Sequence, residues 1–523
     1  MTYFVVVFEL ALSLLVTWPL VWQMGFAPFR RRSPCKVTSR IVLVGGYCLF
    51  LALAAYYYPP VLHVVAFLAA AFLICERWRA RPTYGRSWGL PPGSLGLMPS
   101  GIMRDPYFIE KQIAKYGPIF KTSRDFHPFI CLYGHERGLK FLREHDESLL
   151  GKPMPFNHYI PKGFIRCMGP AVHTKYRKLF VSGISSQTID QCTPFLAATV
   201  RETLNRFAED CSHSSTGRLD PDTYLREMIC SSFVPLFFGI QRESQLFVEV
   251  QSLYEIINTR RNLCGTDRKK RRATENLIEL IAQRANLYAE NLNKGNSVPA
   301  CFLRELLETD VQAAQDHTVL GNLIYMVEIG GLNDTASLIR WILKILMEHP
   351  SWMTRLRETG EDTHDGTDKR RNLAAERIVK ETLRLQQMEF LLRRNTRDIV
   401  FEGYRIPKNW SVRICIREGN RDPDVFAAPE AFDPDRFLDR KYSNVEYSGF
   451  GLFRHSCLGA YLTQVFCSNF ILELVDGFEL KPAADWEAEH GKSHWIPRRG
   501  YQISLRHRAE TVSGHDDQVA LPC

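Results

Sequence analysis

The chain has 523 residues, of which 45% are hydrophobic and 24% are charged, a composition typical of a large globular protein and not of a disordered one. The net charge is +9, but neither zinc-finger spacing nor a basic region leading into heptads accompanies it, which argues against nucleic-acid binding and favours an anionic membrane surface or an acidic partner. The 14 cysteines form no Cys-x-x-Cys pair, as is usual for reduced thiols facing the cytosol.

The N-terminal part of the chain is dominated by three apolar runs. They extend from Tyr3 to Trp22, from Ile41 to Tyr58 and from Val61 to Cys75, and arginine clusters follow the first and the third. A spanning helix needs about 20 apolar residues, and positive charge stays on the cytosolic side of a membrane. We therefore expect residues 1–85 to form a membrane-anchoring segment of one to three transmembrane helices, with the rest of the chain in the cytosol.

The remaining chain divides into a hinge, one long domain and a tail. Residues 86–98 form a Pro/Gly-rich hinge with the stiff sequence LPPGSLG. Residues 99–508 have mostly helical periodicity, with a small β region expected between Ile399 and Ile416, where apolar and polar residues alternate. Residues 509–523 are a polar tail. The predicted fold is mainly α with a small β region.

The first candidate site lies at a predicted helix start after Gly169. His173 and Arg177 are four residues apart, so they lie on one face of that helix. Such a pair can bind a carboxylate, although a solvated basic helix start is the commoner explanation for an isolated match.

The second candidate site interrupts a long apolar helix that runs from Val319 to Met347. Gly330-Gly331 and Asn333-Asp334-Thr335 lie in its middle, where glycine weakens a helix and Asp and Thr prefer local backbone bonding. A polar, breakable turn within a buried helix indicates a functional site; the alternative is an ordinary helix end.

The third candidate pairs Glu381 with Arg384, one helical turn apart. On an exposed surface such an ion pair would contribute little.

The fourth candidate is the stretch from Phe450 to Gly459, which places Cys457 before an apolar helix. The helix dipole and free backbone N–H groups favour a thiolate there, and such a thiolate can be an axial ligand of haem iron. Gly459 leaves room for a flat macrocycle. The alternative is a buried structural cysteine.

Taken in order, these four segments resemble those of the cytochrome P450 family. Its cysteine loop has the pattern Phe-x-x-Gly-x-Arg/His-x-Cys-x-Gly, which Phe450, His455, Cys457 and Gly459 fit, while Phe453 stands where the family has glycine.

The interrupted helix resembles the family's oxygen-activation motif, Ala/Gly-Gly-x-Asp/Glu-Thr. Gly331, Asp334 and Thr335 align with it, and Leu332 replaces the second glycine. The resemblance implies that Thr335 acts on the oxygen side of the haem and that Asp334 relays protons.

The resemblance also implies roles for the other residues. Cys457 would be the axial thiolate ligand of haem, and His173, Arg177 and Arg393 would reach the haem propionates. Glu381, Arg384 and an arginine further along the chain would form a structural network. The segment from Phe432 to Phe437 supplies that arginine, Arg436.

The expected function is a haem-thiolate monooxygenase that hydroxylates or epoxidises a lipophilic small molecule, in terpenoid, polyketide or other secondary metabolism. No GxGxxG fingerprint is present, so the resemblance implies electrons from an NADPH-dependent flavoprotein reductase and a location on the endoplasmic reticulum. The segment from Met154 to Phe164 would line the pocket mouth. A haem-thiolate isomerase or dehydratase, and a non-catalytic membrane haem-binding protein, remain as alternatives.

Overall fold

The structure is a computed structural model. It describes residues 64, 67–68, 70–71, 74–75, 89–96, 105–124, 127–151, 154–259, 266–361, 367–387, 390–482, 488–490, 495–497 and 500–508. The first two predicted membrane runs, most of the third, and the predicted tail lie outside these residues. Within them, no helix has the length and apolar character needed to cross a membrane.

The chain divides into two compact units, the first made of Met1–Ile102 with Lys121–Phe129. Within this unit the Pro-rich hinge lies along the segment that begins at Lys121. Gly93 forms a parallel bridge to Lys121, whose ammonium group donates to the Pro91 carbonyl at 2.7 Å. The Gly96 N–H donates to Ser123 Oγ at 2.9 Å. The described part of the hinge is therefore a bound segment and not a free linker.

The second unit, Met103–Phe120 with Ile130–Cys523, contains the α-helices of residues 105–508 that the structure describes. In chain order they are α1 (Phe108–Tyr116), α2 (His135–His145), α3 (Pro170–Gly183), α4 (Ser186–His213), α5 (Asp222–Phe238), α6 (Gln245–Asn258), α7 (Thr266–Asn293), α8 (Phe302–Thr309), α9 (Val311–Gln315), α10 (His317–Tyr325), α11 (Ala336–Glu348), α12 (Ser351–Glu361), α13 (Thr367–Thr382), α14 (Ile416–Gly419), α15 (Arg436–Asp439) and α16 (Ala460–Gly477). Two π-helical segments, Met326–Thr335 and Leu383–Gln387, follow α10 and α13.

The strands are short. In chain order they are β1 (Ile119–Arg124), β2 (His127–Tyr133), β3 (Leu149–Gly151), β4 (Phe390–Asn395), β5 (Ile399–Phe401), β6 (Tyr404–Ile406), β7 (Ser411–Cys415), β8 (Phe478–Pro482), β9 (Ala488–His490), β10 (Trp495–Pro497) and β11 (Ile503–His507). β4 lies between β7 and β3, antiparallel to both. The predicted combination of a mainly helical fold with a small β region around Ile399–Ile416 is confirmed.

The main hydrophobic core surrounds α10, the first π segment and α11, which together form one long central helix. Every residue of α10 from Thr318 to Tyr325 is buried, as expected for a helix that is apolar on all sides. α16 packs against α4 and α13, and its Phe466 and Phe470 are fully buried, each stabilising the fold by about 2–3 kcal/mol. The helix that follows Cys457 is thus fixed in the core.

A smaller core lies between the β4–β7 sheet and α2. Phe141 of α2 and Val412 of β7 pack there, together with Leu452 of the cysteine loop, which is 2% exposed. The cysteine loop is therefore held between two cores, with Leu452 in the smaller core and α16 in the main one.

Candidate active site

The cysteine loop turns sharply before α16. Gly451 and Phe453 have φ values of +88° and +60°, and the Ser456 N–H closes a turn onto the Phe453 carbonyl at 3.2 Å. The Cys457 N–H donates to the Phe450 carbonyl at 2.8 Å. α16 begins three residues after Cys457, so the thiol lies at its N-terminal end, as predicted.

Cys457 is an accessible residue that is closely surrounded by protein. Its surface is accessible, yet burial in the surrounding protein raises the pKa of its thiol to about 11, against the lowering effects of the Gly459 N–H and Arg177. The charge of Asp334 raises this pKa further, so Asp334 lies within electrostatic reach of the sulfur. A coordinated metal ion would deprotonate such a thiol.

Arg177 binds the cysteine loop itself. Its Nη1 donates to the Ser456 carbonyl at 2.8 Å and its Nη2 to Ser456 Oγ at 3.0 Å. His173, one turn earlier on α3, is 2% exposed, and its ring lies 3.9 Å from the ring of His455. α3 and the cysteine loop are therefore joined by side chains that the sequence places far apart.

His173, His455 and Arg393 form a buried basic cluster. Burial, followed by Arg177 and Arg393, lowers the pKa of His173 to about 4, and burial followed by Arg393 lowers that of His455. Burial lowers the pKa of Arg393 to about 9, and the charge of nearby Arg166 lowers it further. Arg166 was not predicted as a site residue, because it belongs to no recognisable motif.

The cluster has unsatisfied donors. His455 Nδ1 and Arg393 Nη2 are buried and have no hydrogen-bond partner among the described residues. Leaving such atoms unpaired costs about 1–3 kcal/mol each, and more when they are charged, so the site is built for an anionic group. The open thiol of Cys457 and this basic cluster together fit haem, which carries two propionate carboxylates.

The π segment Met326–Thr335 has one accessible face. Its accessible residues follow one helical face, although the neighbouring α10 residues are buried; they are Met326, Ile329, Gly330, Asn333 and Asp334. A Cβ at Gly330 would meet no atom within 4 Å. Thr335 Oγ1 donates to the Gly330 carbonyl at 2.7 Å. This face therefore borders open space within the fold.

Leu332 does not face that open space. It is 4% exposed and belongs to the main core, and Gly331 packs against Phe233, which a Cβ there would approach to 2.8 Å. Of the two adjacent glycines, Gly330 is the one that leaves the accessible face open, because the π turn changes which residues point inward.

The predicted structural network is present and buried. Glu381 accepts from Arg384 at 2.7 and 2.8 Å and from Arg436 Nε at 3.0 Å. The Asp433 N–H donates to the same carboxylate at 2.9 Å. Arg384 also donates to the Asn420 carbonyl at 2.9 Å. The network joins α13 to α15 and to the segment between them.

The segment from Met154 to Phe164 packs against the central helix. Phe156 stacks on Tyr325 with ring centroids 3.9 Å apart, and the Asn322 side chain accepts the Ile165 N–H at 2.7 Å and donates to the Gly163 carbonyl at 3.2 Å. The segment is thus fixed on α10 by aromatic and amide contacts.

A cleft of about 650 Å³ lies beside Arg454 of the cysteine loop. Its lining includes Arg454 and Asp146 but neither Cys457 nor Thr335. Arg454 and Asp146 form an ion pair at 3.0 Å, and acidic and basic side chains are mixed around the cleft. The cleft is therefore not formed by the thiol or by Thr335.

Comparison with known proteins agrees with this geometry. A model of the cytochrome P450 family matches residues 103–505. The chain is 26% identical over 454 residues to abscisic acid 8'-hydroxylase 1 of Arabidopsis thaliana, covering 80% of this chain and 92% of that protein. It is 24% identical over 441 residues to ent-kaurenoic acid oxidase 1 of Hordeum vulgare, covering 77% and 87%.

A solved structure shares the fold. The retinoic acid-bound cyanobacterial CYP120A1 matches with a TM-score of 0.64 and 20% identity, covering 80% of this chain and 99% of that chain. Proteins of this family bind haem through a cysteine thiolate and use a redox partner and lipophilic substrates. The family match covers most of the chain, and the chain therefore belongs to the cytochrome P450 family of haem-thiolate monooxygenases.

Proposed function

We propose that this protein is a membrane-anchored monooxygenase that hydroxylates or epoxidises a lipophilic small molecule, with Cys457 as the axial ligand of its haem. The observation that carries the proposal is the accessible thiol of Cys457, within electrostatic reach of Asp334 on the open face of the π segment. Thiolate-ligated haem, when bound, supplies the electron density that favours O–O cleavage.

The basic cluster would hold the haem carboxylates. We assign this role to His173, Arg177, Arg393 and His455, and we add Arg166, whose charge acts on Arg393. Charge-assisted hydrogen bonds of this kind orient a ligand as well as bind it. Phe450 and Gly459 would shape the loop around the thiol, since the Phe450 carbonyl and the Gly459 N–H are both bound to Cys457.

Asp334 on the accessible face and its buried neighbour Thr335 would handle protons. Thr335 Oγ1 donates its hydrogen to the Gly330 carbonyl, so its lone pairs are available to accept a hydrogen bond. Asp334 is half-buried on the accessible face, where its carboxyl group can exchange protons with water. These are the residues to which we assign proton delivery.

The substrate would be lipophilic. Met326 and Ile329 give the open face an apolar surface, and Phe156 and Tyr325 form an aromatic cluster beside it, which suits a mainly apolar ligand. The relatives named for abscisic acid and ent-kaurenoic acid favour a secondary metabolite, such as a terpenoid or polyketide.

Electrons would come from an NADPH-dependent flavoprotein reductase on the same membrane. Lys175 and Lys178 are exposed on α3, the helix whose Arg177 binds the cysteine loop, so an acidic partner surface could dock close to Cys457. Residues 1–85 would anchor the protein in the endoplasmic reticulum with the catalytic domain in the cytosol.

The ligand assignment is tested by the spectrum of the reduced protein with carbon monoxide. We expect the red-shifted Soret band of a thiolate-ligated haem, and Cys457→Ala should abolish it. Cys467→Ala is the matched control, because Cys467 is buried in α16, the helix that follows Cys457, and should leave the band unchanged. An unchanged spectrum in Cys457→Ala, or no haem uptake by the wild type, would overturn the assignment.

The reaction is tested by incubating membranes containing this protein and a reductase with NADPH, O2 and a metabolite extract. We expect an NADPH-dependent gain of one oxygen atom in a lipophilic product, read by mass spectrometry. Turnover without NADPH and O2 would instead indicate an isomerase or dehydratase.

A further inference from the structure

The π segment Met326–Thr335 needs an explanation, because π-helices are rare and usually occur as short bulges at functional sites. Here the segment lies between two regular helices, α10 and α11. Regular α-helical bonding would rotate the residues after the segment relative to those before it. Whatever stabilises the π turn therefore decides where Asp334 and Thr335 point.

Two side chains bridge the π spacing of five residues. Asn333 Nδ2 donates to the Glu328 carbonyl at 2.6 Å and also to Glu328 Oε1 at 3.0 Å. Thr335 Oγ1 reaches the Gly330 carbonyl, again five residues back. In an α-helix the matching carbonyl is four residues back, so these contacts fit the π turn and would not fit a regular helix.

Glu328 is an unusual residue for this position. It is 3% exposed, and a buried carboxylate is costly unless it accepts hydrogen bonds. The Asn333 amide supplies one of them. Asn333 itself lies on the accessible face, next to Asp334. A buried acid thus fixes an amide on the accessible face of the π segment.

We propose that Glu328 and Asn333 are positioning residues, whose hydrogen bond holds the π turn in place and so fixes the orientation of Asp334 and Thr335. The inference rests on the proposed function, since it concerns the residues to which proton delivery is assigned. Glu328 acts through its acceptor oxygen and not by carrying a proton.

The test compares Asn333→Ala, Glu328→Leu and Glu328→Gln in the full-length, haem-loaded protein. Asn333→Ala removes the donor and Glu328→Leu removes the side-chain acceptor but keeps the backbone carbonyl, while Glu328→Gln keeps a side-chain acceptor oxygen and removes the charge. Ser337→Ala is the matched control: Ser337 Oγ donates to the Asn333 carbonyl at 2.7 Å with the α spacing of four residues.

The first readout is hydrogen–deuterium exchange in the peptide covering residues 326–335. Asn333→Ala loses two partly buried hydrogen bonds and Glu328→Leu loses one, so exchange should become about tenfold faster in both variants, with Glu328→Gln and Ser337→Ala within about twofold of the wild type. The carbon monoxide spectrum should stay the same in all four variants, because the thiol side is untouched.

The second readout is coupling, the product formed per NADPH consumed, with Thr335→Ala as the reference for uncoupled turnover. Asn333→Ala and Glu328→Leu should lose coupling and release peroxide, while Glu328→Gln should not. Equal loss in Glu328→Gln and Glu328→Leu, or unchanged exchange in Asn333→Ala, would overturn the proposal. Failure of the proposed function would appear separately, as a wild type without the Soret band or without product.

Discussion

Phe453 has a backbone conformation that large side chains rarely adopt. Its φ of +60° brings Cβ close to a carbonyl oxygen, at a cost of about 1–2 kcal/mol. Its side chain packs against the smaller core, and the Arg454 guanidinium lies 5.4 Å from its ring. The conformation explains why the family has glycine here, and the packing explains why phenylalanine is tolerated.

We expect glycine to give a more stable protein than alanine at this position, which is the reverse of the usual order. Phe453→Ala loses the packing and keeps the strain, whereas Phe453→Gly loses both, so the glycine variant should be the more stable by about 1 kcal/mol. The measurement is the urea-unfolding midpoint. At Leu452, whose φ is −120°, alanine should be more stable than glycine by about 0.5–1 kcal/mol. If alanine were more stable than glycine at both positions, Phe453 would not be strained.

Among the elements, the buried network around Glu381 joins α13 to the chain before α15. Its carboxylate faces Arg384 and Arg436, and all three side chains are at most 5% exposed. Removing one partner of a buried ion pair costs about 3–5 kcal/mol, because the remaining charges stay buried without compensation. The network therefore stabilises the fold. Its removal should lower the stability of the protein and should not change the reaction directly.

We expect Glu381→Gln to lower the free energy of unfolding by about 3–5 kcal/mol, or to prevent accumulation of haem-containing protein. Asp398→Asn is the control, because the Asp398–Arg405 pair has the same 2.7 Å distance but is half exposed, so its loss should cost less than about 1 kcal/mol. Similar midpoints for the two variants in urea would contradict this.

Sequence patterns predicted the elements of the site better than their geometry. The breakable turn at Gly330-Gly331 was visible from glycine in an apolar helix, but its π form depends on hydrogen bonds that propensity does not encode. The contact of the tilted His173 and His455 rings and the charge of Arg166 near Arg393 arise from tertiary packing. Short motifs identified the candidate site residues, and only the fold determines which of them are in contact.

At the scale of the whole molecule, the hinge contacts limit how far the N-terminus can be truncated without loss of stability. Lys121 is 6% exposed and donates to the Pro91 carbonyl, and its backbone N–H donates to the Pro92 carbonyl at 2.7 Å. Loss of these two acceptors would remove two hydrogen bonds from a buried residue, which is costly. The described part of the hinge thus belongs to the folded protein.

We expect a variant that begins at residue 86 to leave the membrane fraction and keep its carbon monoxide spectrum, because the anchor is removed and the hinge is kept. A variant that begins at residue 98 should lose the hinge contacts. Its free energy of unfolding should fall by at least about 1–3 kcal/mol, so that it unfolds at a lower urea concentration. Cell fractionation and urea unfolding of both variants are the measurements. Equal stability of the two would refute a structural role for the hinge.

The bond between Arg177 and Ser456 has a consequence for synthesis. The two residues are 279 positions apart, so a ribosome has made most of the chain before the cysteine loop can close on α3. Contacts this distant in sequence form late and slowly, and a large chain that waits for them exposes apolar surface. Haem availability at the end of translation should therefore govern how much of this protein a cell accumulates.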